Sequence, residues 1–437
     1  MKPPSGRELA ARVLVRVVRD EAFAAAALDA ELSRSVQLDA RERALATELV
    51  YGTLRVLPWL IAELDARARR PTRHLPWEAR AALWVAAEQL MFMRVPSFAA
   101  VDAAVTAVRR AADARVAGFA NALLRRMAEA RPKDEGEGEA LRVRAVYESC
   151  PTEVRDALVR ALGEDGARRF LGETGAPPLG LRVREPGARA VQMARIAAAR
   201  PDAELGEGRV SPLCILARGA GKPQALPGWA EGELAVQEEG SQAIALATGA
   251  APGESVLDAC AGRGNKTGAL AVAGAAVDAC DRDPRKLEAL REELARLRVA
   301  PRSTFAVDWT VGSGGVTGSY DAVLVDAPCS GVGTLRRRPE LLLRKREPLT
   351  DRTRTQRAIL ERAAAHVRPG GRLIYAVCSV LREEAEEVVE CLTGPSFEPA
   401  PLPAVLGPHG EGASSLRLLP YIHGTDGYFL ATFRKRG

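Results

Sequence analysis

The 437-residue chain carries a net charge of +6, with 47% apolar and 27% charged residues. This length supports two or three domains with hydrophobic cores, and the balance excludes a disordered chain. No run of eighteen apolar residues occurs, and the opening MKPPSGRELAARVLVRVV has no secretory apolar core with a cleavage site, so a cytoplasmic protein without a membrane span is expected.

Residues 7–130 repeat apolar residues at three and four, as in RERALATELVYGTLRVLPWLIAELDARA, and predict a helical bundle with Trp59 and Trp84 in its core. The breaks fall at PTRHLP and VPS, where proline and serine suit helix starts. Most of the basic excess lies here. RPKDEGEGEA, residues 131–140, reads as a charged linker. Two helical stretches follow, VRDALVRALG and ARRFLGE, then a turn and strand in PPLGLRVREPG and a helix in GARAVQMARIAAA. From residue 228 short strands alternate with helices, which predicts an open α/β sheet. The expected domains are 1–135, a small α+β module at 141–227, and an α/β domain at 228–437.

The strand ESVLDAC runs into DACAGRGNKTGAL, residues 258–270. Gly262 and Gly264 allow a tight loop whose backbone can approach a ligand. The spacing to Lys266 is not that of the phosphate-binding GxxxxGK loop, and the run is not a clean GxGxxG. The next strand ends in Asp281, about twenty residues on, where an acidic group commonly binds two ribose hydroxyls. A third ends in Asp308, suited to an adenine's exocyclic amine, with Trp309 beside it read as ordinary packing and, as the alternative, as a border to the adenine. A nucleotide-binding sheet is expected, with S-adenosylmethionine favoured over NAD.

The fourth strand, YDAVLVD, delivers Asp326 and Cys329 in DAPCS; the fifth, RLIYAVCS, delivers Cys378 and Ser379. If the two strands are neighbours, both thiols face one crevice at the ligand end. Seven cysteines without a CxxC pair exclude a zinc knuckle or disulfide framework, and four scattered histidines, His366 among them, read as structural rather than as a metal site. A thiolate, a carboxyl group and a methyl donor together suit methylation of cytosine C5. That carbon is not nucleophilic until a thiolate adds at C6, and a carboxyl near N3 stabilises the charge shift. The sequence physics leaves open which thiol attacks. Arg336, Arg337 and Arg338 follow the loop, where guanidinium groups can fork onto phosphates or stack on a base. Arg344, Lys345, Arg346, Arg352 and Arg354 extend the basic strip.

These motifs carry a family resemblance. DAPCSGVGTLRRRPE, YAVCS in place of YATCS, LAVQEEGSQAIAL at 234–246 and LLPYIHGTDGYFLATFRK resemble the RNA cytosine-5 methyltransferases of the Nop2/Sun class. With ELVYGTLR and FANALLRR, nearly the whole chain resembles the bacterial 16S ribosomal RNA members that carry a NusB-like amino-terminal domain. The resemblance implies a class I, Rossmann-like S-adenosylmethionine-dependent methyltransferase domain, preceded by an all-α NusB-like RNA-binding bundle and a small α+β module. It implies Cys378 as the nucleophile on C6, Cys329 as the thiol that helps eliminate product, and Asp326 as the group contacting the cytosine. Arguing instead from DNA cytosine methyltransferases, with their proline–cysteine nucleophile, would select Cys329. Cys260, Ala261, Gly262, Gly264, Asn265, Lys266, Asp281, Asp308 and Asp326 are implied to hold S-adenosylmethionine, and Lys266 with Arg336, Arg337 and Arg338 to contact RNA. The implied partner is small-subunit ribosomal RNA before full assembly, met by a monomer without metal. Two departures stand out: CAGRGNKT replaces the usual CAAPGGKT, placing Arg263 and Asn265 in the loop, and LRVR at 181–184 replaces LRVN. The altered loop also keeps open a non-catalytic protein that retained the fold, and the same chemistry on another RNA such as transfer RNA is a further alternative.

Overall fold

The computed structural model describes residues 5–345, 347–392 and 394–437. Arg346, expected in the basic strip, lies outside them. The chain divides into two compact units, Met1–Gly175 with Leu335–Lys345, and Ala176–Thr334 with Arg346–Gly437.

The first unit is helical, with α1 (Gly6–Arg19), α2 (Ala24–Arg34), α3 (Ala40–Arg67), α4 (Trp77–Phe92), α5 (Ser97–Ala111), α6 (Ala114–Glu129), α7 (Glu135–Ser149) and α8 (Thr152–Gly172). Ser5 and Glu8 form a capping box at α1, and Asp39 and Asp113 accept from the N–H groups of Glu42 and Val116 at α3 and α6. Each cap satisfies a donor that helix geometry leaves without an intrahelical partner. Helix α4 is buried along nearly its whole length, and Trp84 and Trp59 lie in the core as expected. Helix α3 is long and apolar enough by composition to cross a membrane, and 56% of its apolar stretch is buried in the bundle.

The linker expected at 131–140 is helical from Glu135. Asp134 caps it, Glu135 and Glu137 suit the positive end of the helix dipole, and the glycines at 136 and 138 blur the periodicity. Helix α8, which holds both helical stretches expected in the module at 141–227, belongs to the helical unit, and so does α7. The Trp59 N–H donates to Ser149 Oγ at 3.2 Å, and Arg142 Nη2 donates to the buried Glu88 Oε1 at 2.6 Å. The two helical stretches read from sequence form one element bent at Gly163.

Leu335–Lys345 also belongs to this unit. Arg55 Nη2 donates to the Arg336 carbonyl at 2.8 Å, and the Ala24 N–H donates to Glu340 Oε1 at 3.3 Å. The guanidinium groups of Arg338 and Arg344 lie 4.9 and 4.0 Å from the Phe23 ring centre, in cation–π contact. Arg336, Arg337 and Arg338 are half-buried.

The second unit opens with β1 (Leu179–Val183), α9 (Arg189–Ala199), β2 (Glu204–Glu207), β3 (Cys214–Arg218) and β4 (Leu234–Val236), an antiparallel sheet ordered β2-β3-β1-β4. Arg184, the departure in LRVR, donates through Nη1 to the carbonyls of Leu297 and Gly232 at 2.7 and 3.2 Å. It ties this sheet to the larger one's helices. Next come α10 (Glu239–Leu246), β5 (Ser255–Asp258), α11 (Asn265–Val272), β6 (Ala276–Asp281), α12 (Pro284–Arg296), β7 (Ser303–Ala306), β8 (Tyr320–Asp326), α13 (Leu349–Ala364) and β9 (Val367–Val377). The chain closes with α14 (Glu386–Val389), β10 (Phe397–Pro399), β11 (Ser415–Leu418), α15 (Pro420–His423) and β12 (Tyr428–Lys435).

The large sheet runs β10-β12-β9-β8-β5-β6-β7, with β11 on β12. Strands β5 to β9 pair in parallel and β12 is antiparallel to β9. Successive strand residues face opposite sides, so Leu257, Val323 and Tyr375 enter one core while Val256, Leu324 and Ile374 enter the other. Burial on both faces explains why these strands read as continuous apolar runs. Trp309 lies in the first core and donates to the Ala259 carbonyl at 2.8 Å; His366 stacks edge-on against it. The chain leaves β5 toward β6 and β7, then crosses to β8 on the other side. The crevice at that reversal, outside the carboxyl ends, is where such sheets bind ligands.

One glycine locks the loop after β8. The Gly333 N–H donates to the Cys378 carbonyl at 3.0 Å, and the Gly333 carbonyl accepts from Gly427 at 2.8 Å. A Cβ on Gly333 would overlap the Gly427 carbonyl, which is backbone with no room to yield. Gly333→Ala is expected to destabilise the protein by about 1–3 kcal/mol, as overpacking does, read as a lower urea midpoint.

Candidate active site

Asp326 ends β8 opposite Ala376 of β9. That register puts the loop after β8 beside the residues that follow β9. Cys329 Sγ and Cys378 Sγ are 3.2 Å apart, within hydrogen-bond reach, and both residues are half-buried. Cys329's hydrogen bond to Cys378, then burial, then the nearby charges of Cys378 and Glu384 push its thiol well above the ordinary range. Cys329 is thus held as a thiol that can donate to its partner.

Lys266, in the first turn of α11, pairs with Asp326 across the switch point, Nζ to Oδ2 at 2.5 Å. Burial alone would push the ammonium down, but the charge and hydrogen bond of Asp326 outweigh it and hold it up. Asp258 is fully buried at the end of β5 and accepts from Thr267 Oγ1 at 2.7 Å. Burial raises its carboxyl to about 6.

Gly264 takes a left-handed backbone, φ 89°, and a Cβ there would press on Leu290. Cys260 is pushed far up by burial and by Asp258, Asp326 and Asp281, so it is a neutral thiol. The Ala261 N–H donates to the Cys280 carbonyl at 2.8 Å. Arg263 and Asn265 are exposed. Asp281 accepts from the Gly262 and Asp283 N–H groups at 3.1 and 2.9 Å, with Lys286 Nζ at 3.5 Å. Asp308 is exposed and accepts both the N–H and the hydroxyl of Thr310, which together with that N–H hold its carboxyl below the usual range. A carboxylate offers about four acceptor positions, so both aspartates keep capacity for sugar hydroxyls or an amine. A Cβ at Gly262 would meet nothing within 4 Å, which leaves open space at the loop. Open space and two acidic strand ends fit an adenosyl group with a cationic sulfonium, and the helix start suits the carboxylate of its methionine moiety.

Sequence reasoning missed Glu384, which is fully buried and accepts from the Ser330 N–H at 2.7 Å, the Ser330 hydroxyl at 2.5 Å and Gln356 Nε2 at 3.1 Å. Nothing in LREEAEEVVE separates it from its four acidic neighbours. Arg352, assigned to the basic strip, instead donates to the Cys329 carbonyl at 3.1 Å. Ser379 is buried with its hydroxyl 3.4 Å from that of Ser330. No cluster of three or more metal-ligating side chains occurs among the described residues.

The strand order and the acidic, glycine-bearing loops at the switch point define a Rossmann-like methyltransferase. Residues 244–434 match the family model of the 16S rRNA methyltransferase RsmB/F, and residues 4–129 match that of the NusB family. The chain is 32% identical to the ribosomal RNA small subunit methyltransferase B of Xanthomonas campestris, covering 99% of this chain and 97% of that one. It is 29% identical to the probable ribosomal RNA small subunit methyltransferase B of Bacillus subtilis over the full length of both. The solved structure of PH0851 shares the fold, with a TM-score of 0.80 over 99% of each chain at 23% identity. The chain belongs to the RsmB/F family of 16S rRNA methyltransferases, which use S-adenosylmethionine.

Asp258 generates a pH prediction. Its folded value near 6 lies above the ordinary ~3.9, so the stability it contributes is full below about pH 4 and is lost as pH rises through 6. Asp258→Asn keeps an acceptor for Thr267 but cannot ionise. It is expected to be more stable than the parent above pH 6, by up to about 3 kcal/mol at ~1.4 per unit, and to converge with it near pH 4. Urea melts across that range check this.

Proposed function

We propose that this protein methylates C5 of a cytosine in 16S ribosomal RNA through a covalent bond between Cys378 Sγ and C6. The observation that carries this reading is the pair of thiols 3.2 Å apart beside the Lys266–Asp326 ion pair. A single structural cysteine needs no such partner.

The target base leaves its stack to reach the half-buried thiols. Cys378 adds to C6 and drives electron density toward N3 and O2. Asp326 and Lys266 together hold a proton-bearing pair, which can place a donor where that charge builds. C5 thereby gains enamine character and becomes nucleophilic. S-adenosylmethionine, held by Asp281, Asp308 and the loop 260–266, supplies the methyl group when bound. Once Cys378 is a thioether its hydrogen bond to Cys329 is gone, and with it the largest cause of Cys329's raised value. Cys329 can then give its proton to solvent and, as a thiolate, take the C5 proton. The C5–C6 double bond reforms and Cys378 leaves as a thiolate. The basic helical unit and the arginines after the catalytic loop would grip the RNA before the subunit is fully assembled.

Bisulfite sequencing of small-subunit RNA from cells with and without the gene is expected to show one lost cytosine mark. C378A is expected to fail to restore it, with activity down about 10⁴-fold or more, as for loss of a nucleophile. C329A is expected to trap a protein–RNA adduct, seen as a slow band on a denaturing gel. Loss of no cytosine mark, or full restoration by C378A, would overturn the reading.

A further inference from the structure

The peptide bearing Cys329 is clamped by three side chains that the mechanism above does not use. Gln356 Nε2 donates to the Pro328 carbonyl at 3.0 Å, and Arg352 Nη1 donates to the Cys329 carbonyl at 3.1 Å. Glu384 Oε1 accepts the Ser330 N–H at 2.7 Å and Oε2 accepts the Ser330 hydroxyl at 2.5 Å. Three consecutive residues therefore have a backbone group held from outside the loop. Gln356 and Arg352 come from α13, and Glu384 from the turn after β9.

Glu384 is the hub. Its carboxylate is wholly buried, and the polar groups around it are donors: Ser330 twice, Gln356 Nε2 at 3.1 Å, and Arg352 Nε at 3.9 Å. Its own backbone is held by the Tyr375 hydroxyl, which donates to the Glu384 carbonyl at 2.7 Å. The Ser330 hydroxyl also lies 3.4 Å from that of Ser379, the residue after Cys378. The network thus spans the two loops that carry the thiols. A buried carboxylate is a poor source of bulk stability, because its desolvation offsets what its partners return. It is a strong source of geometry, since each donor must stay where it is.

We propose that Glu384 is a positioning residue that sets Cys329 against Cys378 and so governs release of the methylated RNA rather than methyl transfer. The inference rests on the release role of Cys329 proposed above. Glu384→Gln keeps the shape but turns an amide N–H₂ toward donors, so the Ser330 loop loses one anchor. Arg352→Lys and Ser330→Ala loosen the same clamp while leaving the buried Glu384 in place and serve if E384Q folds poorly.

Two measurements test it. In single-turnover reactions, E384Q is expected to transfer the methyl group within about threefold of the parent, while the protein–RNA adduct persists about tenfold longer; E384Q/C329A should persist no longer than C329A, since residues in one network are non-additive. Without RNA, diamide should close the Cys329–Cys378 disulfide, taking two electrons and two protons from the thiols. E384Q is expected to slow that closure at least about fivefold, as misplaced thiols meet less often. If C329A traps adduct but E384Q releases RNA at the parent's rate, the positioning role fails. If E384Q closes the disulfide as fast as the parent, it also fails. If C329A itself traps no adduct, the release role of Cys329 fails, and slowed disulfide closure in E384Q would then support positioning alone.

Discussion

The parallel pairing of β8 with β9, with Asp326 opposite Ala376, is the constraint on which the site depends. Two sequence segments 49 residues apart are brought to the carboxyl ends of neighbouring strands, and their thiols meet at 3.2 Å. The pairing is set by apolar residues that face both cores, so the chemistry inherits its geometry from the packing beneath it. A one-residue slip would turn every side chain of the strand to the other face. The loop after β8 is then tied to the one after β9 by backbone bonds from Gly333 to Cys378 and from Gly427 to Gly333.

Around this register the electrostatics divide by burial and by partner. Asp258 is deepest and is drawn toward its neutral form. Asp326 shares its position with an ammonium, which cancels the charge at the floor of the crevice. Asp281 and Asp308 lie at the ends of outer strands, each braced by neighbouring N–H groups. Four aspartates of like formula are thus given different tasks by burial and partner alone.

Much of this was legible in the sequence. The alternation from residue 228 located the sheet, because apolar runs bounded by Gly, Pro and Asp mark buried parallel strands. The loops CAGRGNKT and DAPCS stood out because Gly, Pro and Cys at strand ends have few uses. The helix α7 was hidden because its first turn holds two glycines and repeated glutamates, a composition shared with linkers. Glu384 was hidden for another reason. Its role is decided by which chain wraps around it, and a glutamate beside other glutamates carries no local sign of that. Arg352 misled in the same way: a basic residue after three arginines reads as surface until its partner, the Cys329 carbonyl, is known.

The segment Leu335–Lys345 has a consequence for synthesis. Arg344 binds the Glu21 carbonyl from 323 residues further along the chain. The helical unit is therefore unfinished when its own helices have left the ribosome. At ~10 residues per second, Phe23 waits about half a minute for its two guanidinium partners. Through that interval the Phe23 ring stands without the cation–π partners it has in the finished protein, so the last contacts of the bundle wait on the synthesis of the sheet strands that precede them in the chain.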